Sequence, residues 1–139
     1  MSPTPLQRLE TIGFRPCGQW QLQYDGKPKV ALTAFGREAN VLYAFVCDEE
    51  VVYIGKTTKT LKARLYGYQN PGPTQFTNKR GNDEICKALQ AGKLVDVVAL
   101  PDHGLLKYGG FHLNLAAGLE DSLLHDLKPK WNKRFGSDA

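Results

Sequence analysis

The residues able to do chemistry in this chain fall into a short ordered set. Val41-Leu42-Tyr43-Ala44 and Val52-Tyr53-Ile54-Gly55 are followed by Arg64, and much later by Glu120 and Asn132. Aromatic hydroxyls, a guanidinium and a lone carboxylate are what attack on a phosphodiester calls for: a nucleophile to be activated, negative charge on phosphoryl oxygens to be stabilised, and a departing oxygen to be neutralised. Taken singly, each residue has an ordinary reading. Tyr43 and Tyr53 are strand aromatics, Arg64 and Glu120 are solvated helix residues, Asn132 is a turn residue, and Trp131 is a hydrophobic plug. Only their joint order points to a reaction.

The elements that must position them follow from the patterning. Asn40 to Cys47 and Glu50 to Ile54 are rich in β-branched and aromatic residues on either side of Asp48-Glu49, which predicts an antiparallel hairpin. After Gly55, Thr57, Thr58 or Thr60 can cap a helix containing Leu61 and Leu65, with Arg64 leaving it on another face. Residues 67–81, with Asn70-Pro71-Gly72-Pro73, predict a loop, and Asn82 or Asp83 then caps a helix over 84–90 that Gly92 ends. Leu94 to Leu100 predicts a third strand of the same sheet, closed by Pro101, and a glycine-bearing loop with Gly104, Gly109 and Gly110 follows. From Leu113 to Leu127 apolar residues recur at helical spacing with Glu120 beside the stripe, and Pro129 leaves Lys130 to Lys133 as a tight turn. Upstream, Gln21 to Tyr24 and Lys29 to Phe35 flank Asp25-Gly26-Lys27-Pro28, a hairpin or a single strand after an extended arm.

At 139 residues the length suits one compact domain. No run reaches membrane-spanning length and Met1 to Pro5 lacks the features of a secretory signal, so a cytoplasmic protein is expected. The formal charge of +4 permits a polyanionic partner. Its distribution is more telling: Lys56, Lys59, Lys62 and Arg64, then Lys79-Arg80, then Lys128, Lys130, Lys133 and Arg134 would make a phosphate track if they converge. Cys17, Cys47 and Cys86, like His103, His112 and His125, are too scattered for a zinc site or a Cys-His nucleophile. Neither GxGxxG nor GxxxxGK[ST] occurs, so no nucleoside triphosphate requirement is expected.

The intact Tyr53-Ile54-Gly55, the degenerate Val41-Leu42-Tyr43 and the run Glu120 to Asn132, with Pro129 between, together resemble the GIY-YIG nuclease superfamily, with restriction-endonuclease-like members among its relatives. The resemblance spans roughly residues 40 to 135. It implies an α/β (α+β) domain, a three-stranded antiparallel central sheet flanked by helices. Residues 1–39 would form an N-terminal arm with a hairpin, 40–135 the nuclease domain and 136–139 a short tail. By the same resemblance the catalytic face would carry Tyr43, Tyr53, Arg64, Glu120 and Asn132. Tyr68, four residues beyond Arg64, stands where relatives often carry histidine or tyrosine. Arg64 lies nine residues after Gly55, one more than in many relatives.

On that resemblance, Glu120 would bind one divalent cation, magnesium by preference, with manganese able to substitute. Arg64 would grip nonbridging oxygens, a task that suits its planar fork better than lysine. Tyr43 would be the general base, helped by nearby positive charge because a free phenol ionises only near pH ~10. Tyr53 would orient water or phosphate, and Tyr68 would assist proton transfer. Lys56, Lys59, Lys79, Arg80 and Lys130 would meet DNA phosphates. The expected function is a metal-dependent DNA endonuclease, restriction-like, acting on double-stranded DNA. Cutting both strands would need a homodimer or sequential nicking. Two alternatives stand beside it: a nucleic-acid-binding module whose chemistry has weakened, and a repair or mobile-element nicking nuclease. Gln19, Gln21, Gln23, Gln69, Gln75 and Asn78 are of the types that read base edges.

Overall fold

The computed structural model describes residues 2–102, 104 and 106–132. It begins with helix α1 (Pro5–Thr11), which is built at its start by a reciprocal cap. Thr4 Oγ1 accepts from the Gln7 amide at 3.1 Å while Gln7 Oε1 accepts from the Thr4 amide at 2.9 Å. Strands β1 (Arg15–Leu22) and β2 (Pro28–Leu32) form a hairpin, so the hairpin alternative is the one adopted. Its turn is set by Gly26 at φ +86° and by Asp25 Oδ1, which accepts from the Lys27 amide.

Strands β3 (Val41–Cys47) and β4 (Glu50–Thr57) form the central hairpin. Asp48 and Glu49 both take positive φ, 49° and 70°, the backbone a two-residue turn needs to match strand twist. Helices α2 (Leu61–Gln69) and α3 (Phe76–Gln90) come next, followed by β5 (Val95–Pro101). A two-stranded arm, β6 (Lys107–Tyr108) with β7 (Phe111–His112), precedes α4 (Leu115–Leu127).

The main sheet has five strands in the order β2-β1-β5-β3-β4, antiparallel at every pairing. The three-stranded sheet expected from the sequence is therefore only its β5-β3-β4 part. The N-terminal hairpin enlarges it because Arg15–Trp20 of β1 pairs along Ala99–Val95, filling an edge that β5 would otherwise leave open.

Period-two alternation divides the core. Tyr43, Phe45, Trp20 and Val97 face α2 and α3, which add Leu61, Leu65, Tyr68 and Ile85. Leu42, Ala44, Val46, Ile54 and Val98 face the other way, beneath Leu9 of α1 and the stripe Leu119, Leu123, Leu124 and Leu127 of α4. Covered on both faces, β3 is buried at all seven positions, which explains its continuous apolar run.

Helix α3 is the main departure from expectation, since it starts at Phe76 inside the segment predicted as loop. Gly81, the expected end of that loop, sits mid-helix, buried under Tyr68. A Cβ there would lie 2.5 Å from Tyr68 Cδ1, so the glycine is a matter of space. Lys79 and Arg80 consequently project from a helix. The arm β6–β7 was also unforeseen, and α4 starts at Leu115, two residues later than expected, where Asn114 Oδ1 accepts from the Ala117 amide.

Candidate active site

Strand pairing sets Tyr43 opposite Gly55 and Phe45 opposite Tyr53. A Cβ on Gly55 would lie 2.5 Å from both Cζ and the hydroxyl oxygen of Tyr43. The absence of that atom lets the Tyr43 ring lie across β4 and bring its hydroxyl to the helical layer. There it meets Tyr68 Oη at 2.7 Å, and the Tyr68 hydroxyl donates to Tyr53 Oη at 3.0 Å. Arg64 Nη2 donates to the same Tyr68 oxygen at 2.8 Å, and its guanidinium lies 4.2 Å from the Tyr68 ring centroid. Because the one proton of Tyr68 goes to Tyr53, the Tyr43 hydroxyl must donate to Tyr68. The network is thus directed: Tyr43 to Tyr68 to Tyr53, with Arg64 also donating at its centre.

Its members differ in access. Tyr43 and Tyr68 are fully buried, whereas Tyr53 and Arg64 are half-buried. Burial pushes Tyr43 well above the usual phenol range, the neighbouring Tyr53 oxygen adds to the effect, and Arg64 only partly opposes it. Burial likewise raises Tyr68, reinforced by Tyr43 and Tyr53. For Arg64, burial alone would loosen the proton, but the oxygens of Tyr43, Tyr68 and Tyr53 shift it upward on balance, so it stays charged. Tyr53 is the outlet, since it lines a cleft of about 270 Å³ with Phe76, Thr77, Arg80, Trp131 and Asn132.

Asn78 is the site residue that sequence reasoning assigned elsewhere. Its Oδ1 accepts from Arg64 Nη1 at 2.7 Å, which fixes the plane of the guanidinium. Fourteen residues separate the two, and the only sequence signal was an amide on what proves to be a helix facing α2.

Asn132 reaches the edge strand β4. Its Oδ1 accepts from the Ile54 amide at 3.0 Å and its Nδ2 donates to the Ile54 carbonyl at 2.9 Å, while the Trp131 amide donates to Val52 O at 2.8 Å. Both ends of the carboxamide are thereby engaged with backbone, and the turn at 130–132 is fastened to the outer edge of β4 at Val52 and Ile54.

Glu120 stands on the other face of the sheet, on α4, and pairs with Lys56 at 3.6 Å. Lys56 follows Gly55 directly, so the carboxylate and the Tyr43 ring address neighbouring positions of β4 from opposite sides. The pair is loose and Lys56 is exposed, which makes it a weak tie. Among the described residues no group of three or more His, Cys, Asp or Glu gathers. One half-buried carboxylate fits a hard ion that keeps most of its water shell and does not fit one that needs a closed protein cage.

The basic residues are dispersed around this edge. Lys59 is exposed just after β4, Lys79 is exposed with its Nζ 5.7 Å from the Phe76 ring centroid, Arg80 lines the cleft, and Lys130 pairs with Glu50 at 3.2 Å. His103, Lys133 and Arg134 lie outside the described residues.

The chain matches no protein-family model and no curated protein sequence. Among solved structures, it is similar to a mutant of bacteriophage T4 EndoII, at TM-score 0.71 and 21% identity, covering 94% of this chain and 99% of that one. It is also similar to the restriction endonuclease HPY188I, solved with product DNA, at TM-score 0.53 and 14% identity over 86% of this chain and 76% of that one. The fold is that of these two proteins. The likeness is one of fold, and at 94% coverage of this chain the match to the first takes in most of the N-terminal hairpin as well as the β5-β3-β4 part of the sheet. No described helix is long and apolar enough to cross a membrane.

Proposed function

We propose that this chain is a GIY-YIG-type DNA endonuclease that hydrolyses phosphodiester bonds at the cleft beside Tyr53. The observation that carries the reading is the Tyr43–Tyr68–Tyr53 relay with Arg64 at its centre, on a fold similar to that of a restriction endonuclease solved with product DNA. A purely structural cluster would have no need for a half-exposed terminal hydroxyl in a cleft beside Arg80.

In this reading Tyr53 faces the reacting water. When Tyr53 releases its proton to solvent, its oxygen keeps the Tyr68 hydrogen bond and has the Arg64 charge behind it. That oxygen accepts the proton of the attacking water as the water oxygen bonds to phosphorus. The ester P–O bond breaks, and the departing oxygen takes a proton from solvent. Tyr43 was the favoured base from sequence, but sealed from water and held protonated it serves to support Tyr68. Arg64 neutralises phosphoryl charge, oriented by Asn78, and Asn132 holds the segment that frames the cleft. Glu120 would hold magnesium, or manganese in its place, which supplies Lewis-acid polarisation of a phosphate oxygen when bound. Lys56, Lys59, Lys79, Arg80 and Lys130 contact the backbone of double-stranded DNA. Residues 40–135 form the catalytic part, and double-strand cutting uses two copies of the chain or successive nicks.

The test is cleavage of supercoiled plasmid and linear DNA by wild type, Glu120→Gln and Arg64→Ala, with magnesium and with EDTA, alongside gel retardation. Magnesium-dependent breaks lost in both variants, with retardation kept by Glu120→Gln, are expected. Retardation of DNA by wild type without strand breaks would move the assignment to a binding module on the same scaffold.

A further inference from the structure

On the far flank of α2 from Arg64 lies a second, larger depression that the nuclease reading leaves unused. It measures about 760 Å³ and runs between the outer edge strand β2, the loop 33–38 and α2. Its floor is apolar, made by Val30, Leu32 and Phe35. Tyr66 forms one wall and is 59% exposed, an unusual expense of aromatic surface on a helix whose Leu61, Leu65 and Tyr68 are fully buried. Lys29, Arg37 and Lys62 stand exposed around it, with Glu38 the acid among its lining residues. None of these three cations pairs with a carboxylate among the described residues.

The depression is preformed. Loop 33–38 is fastened to β1 by Thr33 N donating to Cys17 O at 2.8 Å, and to α2 by Leu61 N donating to Glu38 O at 2.9 Å and Lys62 N to Gly36 O at 3.0 Å. Phe35 takes φ +62°, a left-handed conformation that an aromatic residue adopts only where the surroundings impose it.

An apolar floor, an exposed aromatic wall and unpaired cations match the two halves of a nucleotide. A duplex offers phosphates to such a rim but keeps its bases stacked; an unpaired strand offers both. Arg64 and Tyr66 project from opposite flanks of one helix about 10 Å across, and Arg64 is joined to the cleft-lining Tyr53 through the Tyr68 oxygen at 2.8 and 3.0 Å, so a strand crossing α2 would meet the groove within a few nucleotides of Tyr53.

We propose that this groove holds an unpaired nucleotide of the DNA strand leading to the cut site, its base against Tyr66 and its phosphates on Lys29, Arg37 and Lys62. The inference rests on the nuclease reading and narrows its substrate to DNA with a single-stranded or locally opened flank.

Binding of single-stranded and blunt duplex DNA in EDTA, with cleavage in magnesium measured on the same preparations, tests it. Tyr66→Ala is expected to weaken single-strand binding roughly tenfold and to leave blunt-duplex binding unchanged. The triple variant Lys29→Ala, Arg37→Ala, Lys62→Ala tests the same groove without touching Tyr66, and should reduce the salt slope for the single strand by about 2. Single strands bearing 5-iodouracil should crosslink wild type at Tyr66 or Phe35. If wild type cleaves DNA while both variants bind single strands as wild type does, the groove proposal fails and the nuclease reading stands. If wild type neither binds nor cuts DNA, both fail. If Tyr66→Ala turns an oligomer into a monomer with DNA binding unchanged, the surface is a protein contact and the proposal is overturned.

Discussion

Replacing Tyr68 by Phe removes a single oxygen from the point where three hydrogen bonds meet, and it leaves the ring that fills the space above Gly81. The Tyr43 hydroxyl, at 0% exposure, then has no oxygen to take its proton and no water to replace it. Stranding a buried hydroxyl costs about 1–3 kcal/mol. Tyr53 and Arg64 lose a partner as well, but both are half-buried and water can make up part of that loss. For a chain of this length each kcal/mol moves the melting temperature by about 4 °C, so a fall of roughly 4–12 °C is expected.

The informative comparison is the double variant. Tyr43→Phe alone leaves Tyr68 bonded to Tyr53 and Arg64 and should cost less than Tyr68→Phe. With both hydroxyls removed nothing is left stranded on β3, and replacing both partners by apolar groups of the same shape is close to neutral for that pair. The double variant should therefore be more stable than the sum of the singles predicts, by about 1 kcal/mol or more. Urea denaturation of the four proteins measures this coupling directly. Additivity within about 0.5 kcal/mol would refute the directed network, because independent sites behave that way. Cleavage adds a second reading: if Tyr53 acts with Tyr68 behind it, Tyr68→Phe should slow turnover by about 10²-fold while DNA binding is kept.

Three further outcomes follow from the same structure. Tyr43 and Tyr68 are raised by burial, so the stability tied to their neutral form is fully present below the ordinary phenol range near pH ~10 and is lost as pH climbs past it; absorbance titration should show them ionising only as the protein unfolds, and early ionisation of every tyrosine would contradict their burial. Asp102 is lowered, first by the Gly104 amide and also by the Leu115 amide and His112, against a smaller opposing effect of burial; its contribution is present above the usual carboxylate range and lost as pH falls through its depressed value, so Asp102→Asn should lower the melting temperature at neutral pH and flatten its decline in acid, and parallel curves would argue against the assignment. Gly81→Ala should lower the melting temperature, because overpacking against Tyr68 costs about 1–3 kcal/mol while alanine for glycine within a helix normally stabilises by only up to ~1 kcal/mol; a raised melting temperature would show that the ring has room.

What the sequence revealed was local and periodic. The β3–β4 hairpin announced itself by two β-branched runs around Asp48-Glu49, and α4 by its apolar spacing up to Leu127. Tyr43, Tyr53, Arg64 and Tyr68 were named by the family resemblance rather than by periodicity, and the structure brings the four side chains into one hydrogen-bond network. Three things were hidden for a common reason, that the decisive partner is remote in sequence. Gly81 reads as the end of a loop until Tyr68 is seen against it, and a helix start at Phe76 has no side-chain cap to announce it. Asn78 reads as a loop amide until Arg64 is seen beside it. The fourth and fifth strands depend on β1 finding β5, a pairing across some eighty residues that local pattern cannot express.

The position of Glu120 shows why β4 is the organising element. The sheet separates the carboxylate from the tyrosines, and a central strand would keep them apart. β4 is an edge strand, so both faces turn toward the same rim, and Gly55 thins that rim where the Tyr43 ring crosses it. An open edge also invites pairing with another strand. Here the edge is closed at Val52 and Ile54 by Trp131 and Asn132, so the open stretch begins beyond the buried Gly55, at the exposed Lys56. Asn132 therefore matters by geometry: a main-chain strand would continue along β4 and cover that stretch, whereas a side-chain amide satisfies one residue's N–H and C=O and stops. On the proposed function, a phosphate at the rim left uncovered would have Tyr53 on one side and Glu120 on the other.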